Sequence, residues 1–391
     1  MTSKKDLMRC RLCGCEALER AFHLGNMPRW NHRLLGSHEV ASDRGVDLTM
    51  FACGQCGFVM LPTAPADEYY EDYVNAPSFS PQMRAAQLEQ ATAFVRRFGL
   101  EGKRVLEVGC GDGSYLECLA LAGAVARGIE PSAAQRAIAL TRGLTVDAGV
   151  LPADRGIADA PFDAFVTRQV LEHVGDIASF VLGVRRQMKA GAVGLVEVPN
   201  FDKLRLEGRY FDFIPEHVNY FTPTTLRLAL ELHGFEVLET APAIEGEALC
   251  ALVSLPPAPD FGAAERGVAE LSAAVSAFVA DSKRLGGEVA VWGAGGKGLS
   301  ILACADLRGV DHVLDSDPHK LGRFTPVSHL VVSHPDILRE RDVQAIVITA
   351  PAYQREIRQV LEERYHFRGR IALVDGGLRV IQERMSAGVR A

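Results

Sequence analysis

The stretch Arg104-Val105-Leu106-Glu107-Val108-Gly109-Cys110-Gly111-Asp112-Gly113-Ser114-Tyr115-Leu116 decides the fold. It reads as a short apolar strand, a glycine-rich turn and the opening of a helix. Glycines at 109, 111 and 113 let backbone N–H groups approach a ligand where a Cβ would clash. The next apolar run, Ala126-Arg127-Gly128-Ile129, ends in Glu130, an acid placed to hold two ribose hydroxyls. Glu107, at the strand end, is unsuited to a pyrophosphate and suited to a cationic, amino-acid-bearing cofactor, because like charges repel strongly where water is excluded.

This Glu-x-Gly-x-Gly-x-Gly spacing resembles motif I of the class I methyltransferases that use S-adenosylmethionine, with Glu130 matching their ribose-binding acid. Around it, strands are expected over 104–108, 125–130, 144–147, 162–167 and 192–198, with a final pair near 235–240 and 247–255. A helical pattern over 82–98 leads in, and helices between the strands predict an α/β doubly wound sheet. Ligands bind such sheets beyond the carboxyl ends of the strands. That rule gathers Glu107, Glu130, the turn at Asp147 and the turn over 167–173 around one pocket. By the resemblance, Asp147 or its neighbours meets the adenine, while Gln169 and His173 lie near the methionine end or the substrate. The Leu-Glu-His-Val run holding His173 reads first as structural.

The amino-terminal segment carries two Cys-x-x-Cys-Gly knuckles, Cys10, Cys13, Cys53 and Cys56, each glycine turning backbone amides toward the thiolates. They predict a structural Zn2+ site, because four thiolates leave no open position, in a segment with little apolar periodicity of its own. His32, between the knuckles, is a lone histidine. Next come Tyr69, Tyr70 and Tyr73 among small polar residues, a substrate-facing lid or an interdomain seam, with Tyr73 the candidate contact.

The chain has 391 residues, is 48% hydrophobic and has a formal net charge of -7, enough for two or three cored domains and no general basic face for nucleic acid. No apolar run reaches about 18 residues and no leader is evident, so a cytoplasmic protein without membrane contact is expected. Its nine cysteines then read as ligands or buried thiols, not disulfides.

After strand 192–198 and Asn200, an insertion packs Tyr210, Phe211, Asp212, Phe213, Ile214, Pro215, Glu216, His217, Val218, Asn219, Tyr220 and Phe221. A histidine titrates near neutrality and an adjacent acid can orient it, so His217 is the candidate general base and Glu216 its assistant. A structural histidine clamping the insertion is the alternative. Beyond Leu255-Pro256-Pro257-Ala258-Pro259-Asp260, an amphipathic helix over 263–285 precedes Glu288-Val289-Ala290-Val291-Trp292 and Gly293-Ala294-Gly295-Gly296-Lys297-Gly298. With Asp315 about 20 residues on, this is the dinucleotide fingerprint. Its readings are a Lys297 contact to substrate phosphates, a structural turn, or an NAD site.

Taken in order, the zinc module, the glycine-rich domain, the Glu-His-x-x-Tyr-Phe insertion and the nucleotide-binding-like end resemble the three-domain sugar C-methyltransferases. The resemblance implies a zinc module and lid over 1–80, an S-adenosylmethionine domain over 81–256 and a Rossmann-like substrate domain over 262–391. It implies a nucleotide-linked keto-deoxysugar substrate, with His217 removing the proton beside the ketone, Glu216 assisting, and Asn200, Tyr220 and Lys297 on the substrate. The chain departs from the family at Ile214-Pro215, where Tyr-His is common, and at Gln169, where Asn is. An O-methyltransferase and a non-catalytic metabolite-binding scaffold are the competing readings, and a monomer or homodimer is expected.

Overall fold

The computed structural model describes residues 8–29, 31, 34–62, 80–151, 156–305 and 308–383. These form two compact units, Met1–Ala258 and Pro259–Ala391. No helix among the described residues is long and apolar enough to cross a membrane.

The first unit begins with β1 (Leu18–Met27), β2 (Val46–Cys53) and β3 (Val59–Met60), paired antiparallel in sequence order. The expectation of little apolar periodicity here is corrected: β2 turns Leu48 and Met50 inward at period two while Asp47 faces out. Helix α1 (Pro81–Phe98) starts where Ser80 accepts the Met83 N–H and Pro81 occupies the first helical position, and it stops at Gly99 in the left-handed conformation.

The sheet that follows is built from β4 (Arg104–Val108), β5 (Val125–Glu130), β6 (Val146–Ala148), β7 (Phe162–Arg168) and β8 (Met188–Pro199), interleaved with α2 (Ser114–Leu121), α3 (Ala133–Thr141) and α4 (Ile177–Arg186). After α5 (Phe201–Leu206) the chain supplies β9 (Asn219–Tyr220), then α6 (Pro223–Glu231) and the antiparallel pair β10 (Glu236–Ala243) and β11 (Ala248–Ser254). The seven-stranded order is β10-β11-β8-β7-β4-β5-β6, parallel from β8 to β6, with β11 and β10 antiparallel. This is the class I methyltransferase α/β fold. The winding reverses between β4 and β7, which opens a crevice at their carboxyl ends.

Strand β9 does not join that sheet. It pairs with β3, Tyr220 opposite Val59 and Asn219 opposite Met60, and completes the four-stranded sheet β1-β2-β3-β9. Cys10, Leu12, Phe58 and Met60 share one buried core with Leu171, Val196 and Phe221, so the knuckles and the seven-stranded sheet exclude water together.

The second unit opens with α7 (Gly262–Arg284) and β12 (Glu288–Trp292) and continues through α8 (Gly296–Cys304), β13 (His312–Leu314), β14 (Val332–Ser333), β15 (Val343–Ile348), α9 (Gln354–Glu363), β16 (Arg370–Val374) and β17 (Leu378–Gln382). Its sheet order is β14-β13-β12-β15-β16-β17, parallel except for β17, a Rossmann-like arrangement around buried Val291, Val313, Ile346 and Val347.

Candidate functional site

The glycine turn after β4 leaves a carboxylate in a dry place. Val105 and Leu106 are fully buried and draw Glu107 in to 3% exposure. Burial pushes the Glu107 carboxyl up to about 8, against the pull of the Arg168 guanidinium. Its Oε2 has no hydrogen-bond partner among the described residues. All three glycines have positive φ. A Cβ at Gly109 would come within 2.4 Å of Val170, one at Gly113 within 2.4 Å of Leu144, and one at Gly111 would meet nothing within 4 Å. A buried acceptor without a donor fits a ligand that brings a cation.

Glu130 braces this turn: its Oε2 accepts the Gly111 N–H (2.9 Å) and its Oε1 the Ser132 N–H (2.8 Å). Each oxygen keeps a further lone pair for a hydroxyl donor. Asp147, expected near an adenine, is half-exposed and ion-paired to Arg127 at 2.8 Å. Gln169 sits at φ 54°, its N–H on the Glu197 carbonyl (2.8 Å) and its amide nitrogen 3.4 Å from Glu197 Oε1. Fully buried Glu197 also takes Arg168 (2.8 Å) and Gln90 (2.8 Å). The sequence reading missed this hub. Its signal is an arginine closing one apolar strand run and an acid inside the next, residues that prove to be register partners on β7 and β8.

A cavity of about 280 Å³ opens on the same carboxyl edge, walled by Asn31, Asn200, Arg209, Phe211, His217 and Tyr220 among others. Asn200 also caps α5, accepting the Asp202 N–H, and its amide donates to the Gly246 carbonyl at 2.9 Å. Tyr220 is 4% exposed, its ring packed on Phe201 and Phe213. The His217 ring meets the His173 ring edge-on, centroids 4.8 Å apart. His173 Nδ1 lies 3.0 Å from the Glu216 carbonyl, so Nδ1 donates, and its Nε2 lies 4.0 Å from Glu172 Oε1.

Glu216, expected beside His217, is 1% exposed and its Oε1 accepts the Asn31 N–H at 2.7 Å. The carboxylate that clusters with both imidazoles is Glu172, with the ligating atoms of Glu172, His173 and His217 within 4.8 Å of one another. Burial pushes the Glu172 carboxyl up to about 8. Sequence adjacency thus drew attention to Glu216, whereas the fold also brings in Glu172, 45 positions before His217, from a run that reads as a structural helix start. Tyr73, the rest of the candidate lid up to Phe79, and His32 lie outside the described residues.

The four knuckle cysteines have their sulfurs within 4.8 Å of one another, with Cys10 3.6 Å from Cys56 and Cys13 3.6 Å from Cys53. Tetrahedral Zn–S bonds require sulfurs about 3.8 Å apart, so the set fits a zinc ion held by Cys10, Cys13, Cys53 and Cys56. Without a metal, burial raises the Cys10 and Cys56 thiols, while at Cys53 burial is outweighed by the Cys56 and Gln55 backbone N–H groups, which lower its thiol, so the four close thiols do not share one ionisation state.

In the second unit, Lys297 is exposed in the first turn of α8. Asp315 follows β13; its Oδ2 accepts Ala294 N–H (2.9 Å) and pairs with Lys320 Nζ (2.8 Å), and its Oδ1 accepts Asp317 N–H (2.9 Å).

Residues 82–240 match the family model described as a methyltransferase domain, and residues 245–374 the one described as a C-methyltransferase C-terminal domain. Among curated proteins, the chain is 38% identical over 101 residues to the ubiquinone biosynthesis O-methyltransferase of Pseudomonas aeruginosa, covering 24% of this chain and 44% of that protein. It is 34% identical over 153 residues to a probable S-adenosylmethionine-dependent methyltransferase of Mycolicibacterium smegmatis, covering 39% of this chain and 59% of that one. The chain thus spans about half the length of these curated relatives. Among solved structures, the magnesium protoporphyrin IX methyltransferase of Synechocystis with bound SAH is similar at 18% identity and a TM-score of 0.38, over 48% of this chain and 90% of that one. The chain is therefore similar to methyltransferase domains over residues 82–240 and to C-methyltransferase C-terminal domains over residues 245–374.

Proposed function

We propose that the chain is an S-adenosylmethionine-dependent C-methyltransferase acting on a carbonyl-activated small molecule, a nucleotide-linked keto-deoxysugar being the preferred substrate class. The observation that carries this reading is the His217 imidazole in the wall of the cavity at the carboxyl edge of the sheet, the edge that also holds the orphaned Glu107 carboxylate. Bound S-adenosylmethionine supplies a methyl group on a sulfonium, an electrophile that needs no metal. Glu107 then faces a cation and Glu130 the ribose hydroxyls. His217 would take and keep the proton from the carbon beside the carbonyl, and the enolate carbon would bond to the donor methyl in line as the S–CH3 bond breaks and the neutral thioether leaves. Glu216 holds the His217 segment through Asn31 and His173, Asn200 and Tyr220 orient the acceptor, and Lys297 is assigned to substrate phosphates. Zinc on the four cysteines is structural.

The matched C-methyltransferase C-terminal domain supports carbon as the acceptor atom. The name of the Pseudomonas relative favours a second reading, O-methyl transfer with His217 deprotonating a hydroxyl. Incubation with methyl-labelled donor and keto-sugar nucleotides separates the two, because a C-methyl label survives ether cleavage and an O-methyl label does not. His217→Ala is expected to lower transfer by on the order of 100-fold to 10,000-fold. Undiminished transfer would remove His217 from the role of base, and donor binding without turnover on any acceptor would favour a metabolite-sensing scaffold.

A further inference from the structure

Arg11 stands inside the first knuckle, between Cys10 and Cys13, yet its side chain leaves the sulfur cluster. Its Nη1 donates to the Val218 carbonyl (2.9 Å) and to Asn219 Oδ1 (2.8 Å), and its Nη2 donates to the Leu61 carbonyl (2.9 Å). Asn219 is 2% exposed and passes the connection on: its amide nitrogen donates to the Leu171 carbonyl (2.8 Å) and the Val174 carbonyl (2.7 Å). The Val218 N–H reaches the Glu172 carbonyl at 2.8 Å. A line of donors therefore runs from the cysteine knuckle, through the two residues after His217, to the turn that carries Glu172 and His173.

We infer that Arg11 and Asn219 are positioning residues for His217, so that filling of the four-cysteine site and the proton-transfer geometry of the cavity are coupled. The inference rests on the reading of His217 as the base and extends it to how that base is held. The physical reason lies in β9, which is only two residues long and has a ladder partner on one side alone, β3. A two-residue strand fixes few dihedrals by itself. The planar guanidinium fork reaches oxygens on two segments at once, which the single ammonium of a lysine does less well. Asn219 fills the other side, where no described strand lies, by donating to the first and capping carbonyls of the short 3-10 turn over Leu171–His173. The knuckle fixes the backbone of Arg11 only while the four sulfurs share one metal, because four close thiols otherwise have no bond that holds them together.

The test uses the full chain in three forms: wild type with zinc, wild type stripped by a chelator, and Arg11→Met with its zinc content measured. Hydrogen exchange is the first readout and needs no substrate. Chelation and Arg11→Met are each expected to speed exchange of the Val218 and Tyr220 amides at least tenfold, while the amides of β4 and β5 keep their protection and donor affinity is unchanged. Steady-state methyl transfer is the second readout. Arg11→Met is expected to lower kcat on the order of 100-fold, the effect of displacing a reacting group by about 1 Å, with the donor KM unchanged and the pH profile displaced. Arg11→Lys should recover part of the loss. If Arg11→Met does not fold, Asn219→Asp serves instead: it keeps Oδ1 for Arg11 and removes both donors to the Leu171 and Val174 carbonyls, and the same loss of kcat with full zinc content is expected. Unchanged exchange at 218–220 and unchanged kcat in either variant would overturn the coupling while leaving the methyltransferase reading intact. Faster exchange at 218–220 in a wild type that transfers no methyl group would sink that reading and leave the brace standing.

Discussion

The molecule contains two glycine turns that follow a buried parallel strand and open a helix, and they differ in what has been done with the nearby acid. At the first, after β4, Glu107 is dry and one of its oxygens has no donor among the described residues. At the second, after β12, Asp315 has an ammonium and two backbone amides on its carboxylate. Burial opposes ionisation there too, but Lys320 and the Asp317 and Ala294 N–H groups hold the Asp315 carboxyl below its usual range. One acid feels Arg168 without a hydrogen bond to its Oε2, and the other is closed by a direct ion pair with Lys320. Similar loops thus leave their acids in different states: the first keeps a buried oxygen without a donor among the described residues, whereas the second is closed by its own chain.

Substitutions break this comparison at graded cost. The largest expected effect is at Gly298, where a Cβ would lie 1.9 Å from the Gly293 carbonyl oxygen. Gly298→Val should destabilise the second unit by about 3 kcal/mol, read as a fall in its melting transition, whereas Gly295→Ala, with nothing within 4 Å of its Cβ, should leave that transition in place. An unchanged transition in Gly298→Val would mean that helix and strand do not need their close approach.

Next is Glu107→Gln, expected to weaken donor binding in calorimetry by about 2–3 kcal/mol, on the order of 100-fold, while Asp315→Asn leaves it alone. Equal losses in the two variants would erase the distinction drawn between the turns. The pH dependence of the same titration is sharper still. Burial holds the Glu107 proton up to about 8 in the free protein, so a cationic donor must displace that proton at pH 7. Affinity should therefore rise with pH by up to about tenfold per unit below 8, with proton release visible as a heat that depends on the buffer. Glu107→Gln should remove both signatures, and a flat profile in the wild type would mean that the carboxyl is already ionised. The smallest effect is expected at Asp147: its half-exposed pair with Arg127 is worth about 0–1 kcal/mol, so Asp147→Asn should shift stability and donor affinity little.

How much could be read in advance follows the range of the interactions involved. The turn over 104–116, the helical pattern over 82–98 and the doubled cysteine spacing are local patterns, and their elements lie where the residues put them. The surroundings of His217 are not local. The His217 ring meets His173 from the turn after β7, the residues flanking His217 are held from near Asn31 and from the first knuckle, and no spacing in the sequence relates Arg11 to Asn219. The same holds for Glu197, whose partners Gln90 and Arg168 stand on different elements.

The sequence by itself determined the two Rossmann-like halves, the cysteine set and the acid at the end of β4, because hydrophobic period, glycine φ and thiol spacing act within a few residues. Only the tertiary structure decided that β9 belongs to the sheet of the cysteine module, that Glu172 joins the two imidazoles, and that an oxygen of Glu107, not of Asp315, is left without a donor among the described residues. Those outcomes depend on which buried polar groups meet when separate segments exclude water together, and a one-dimensional pattern does not carry that information.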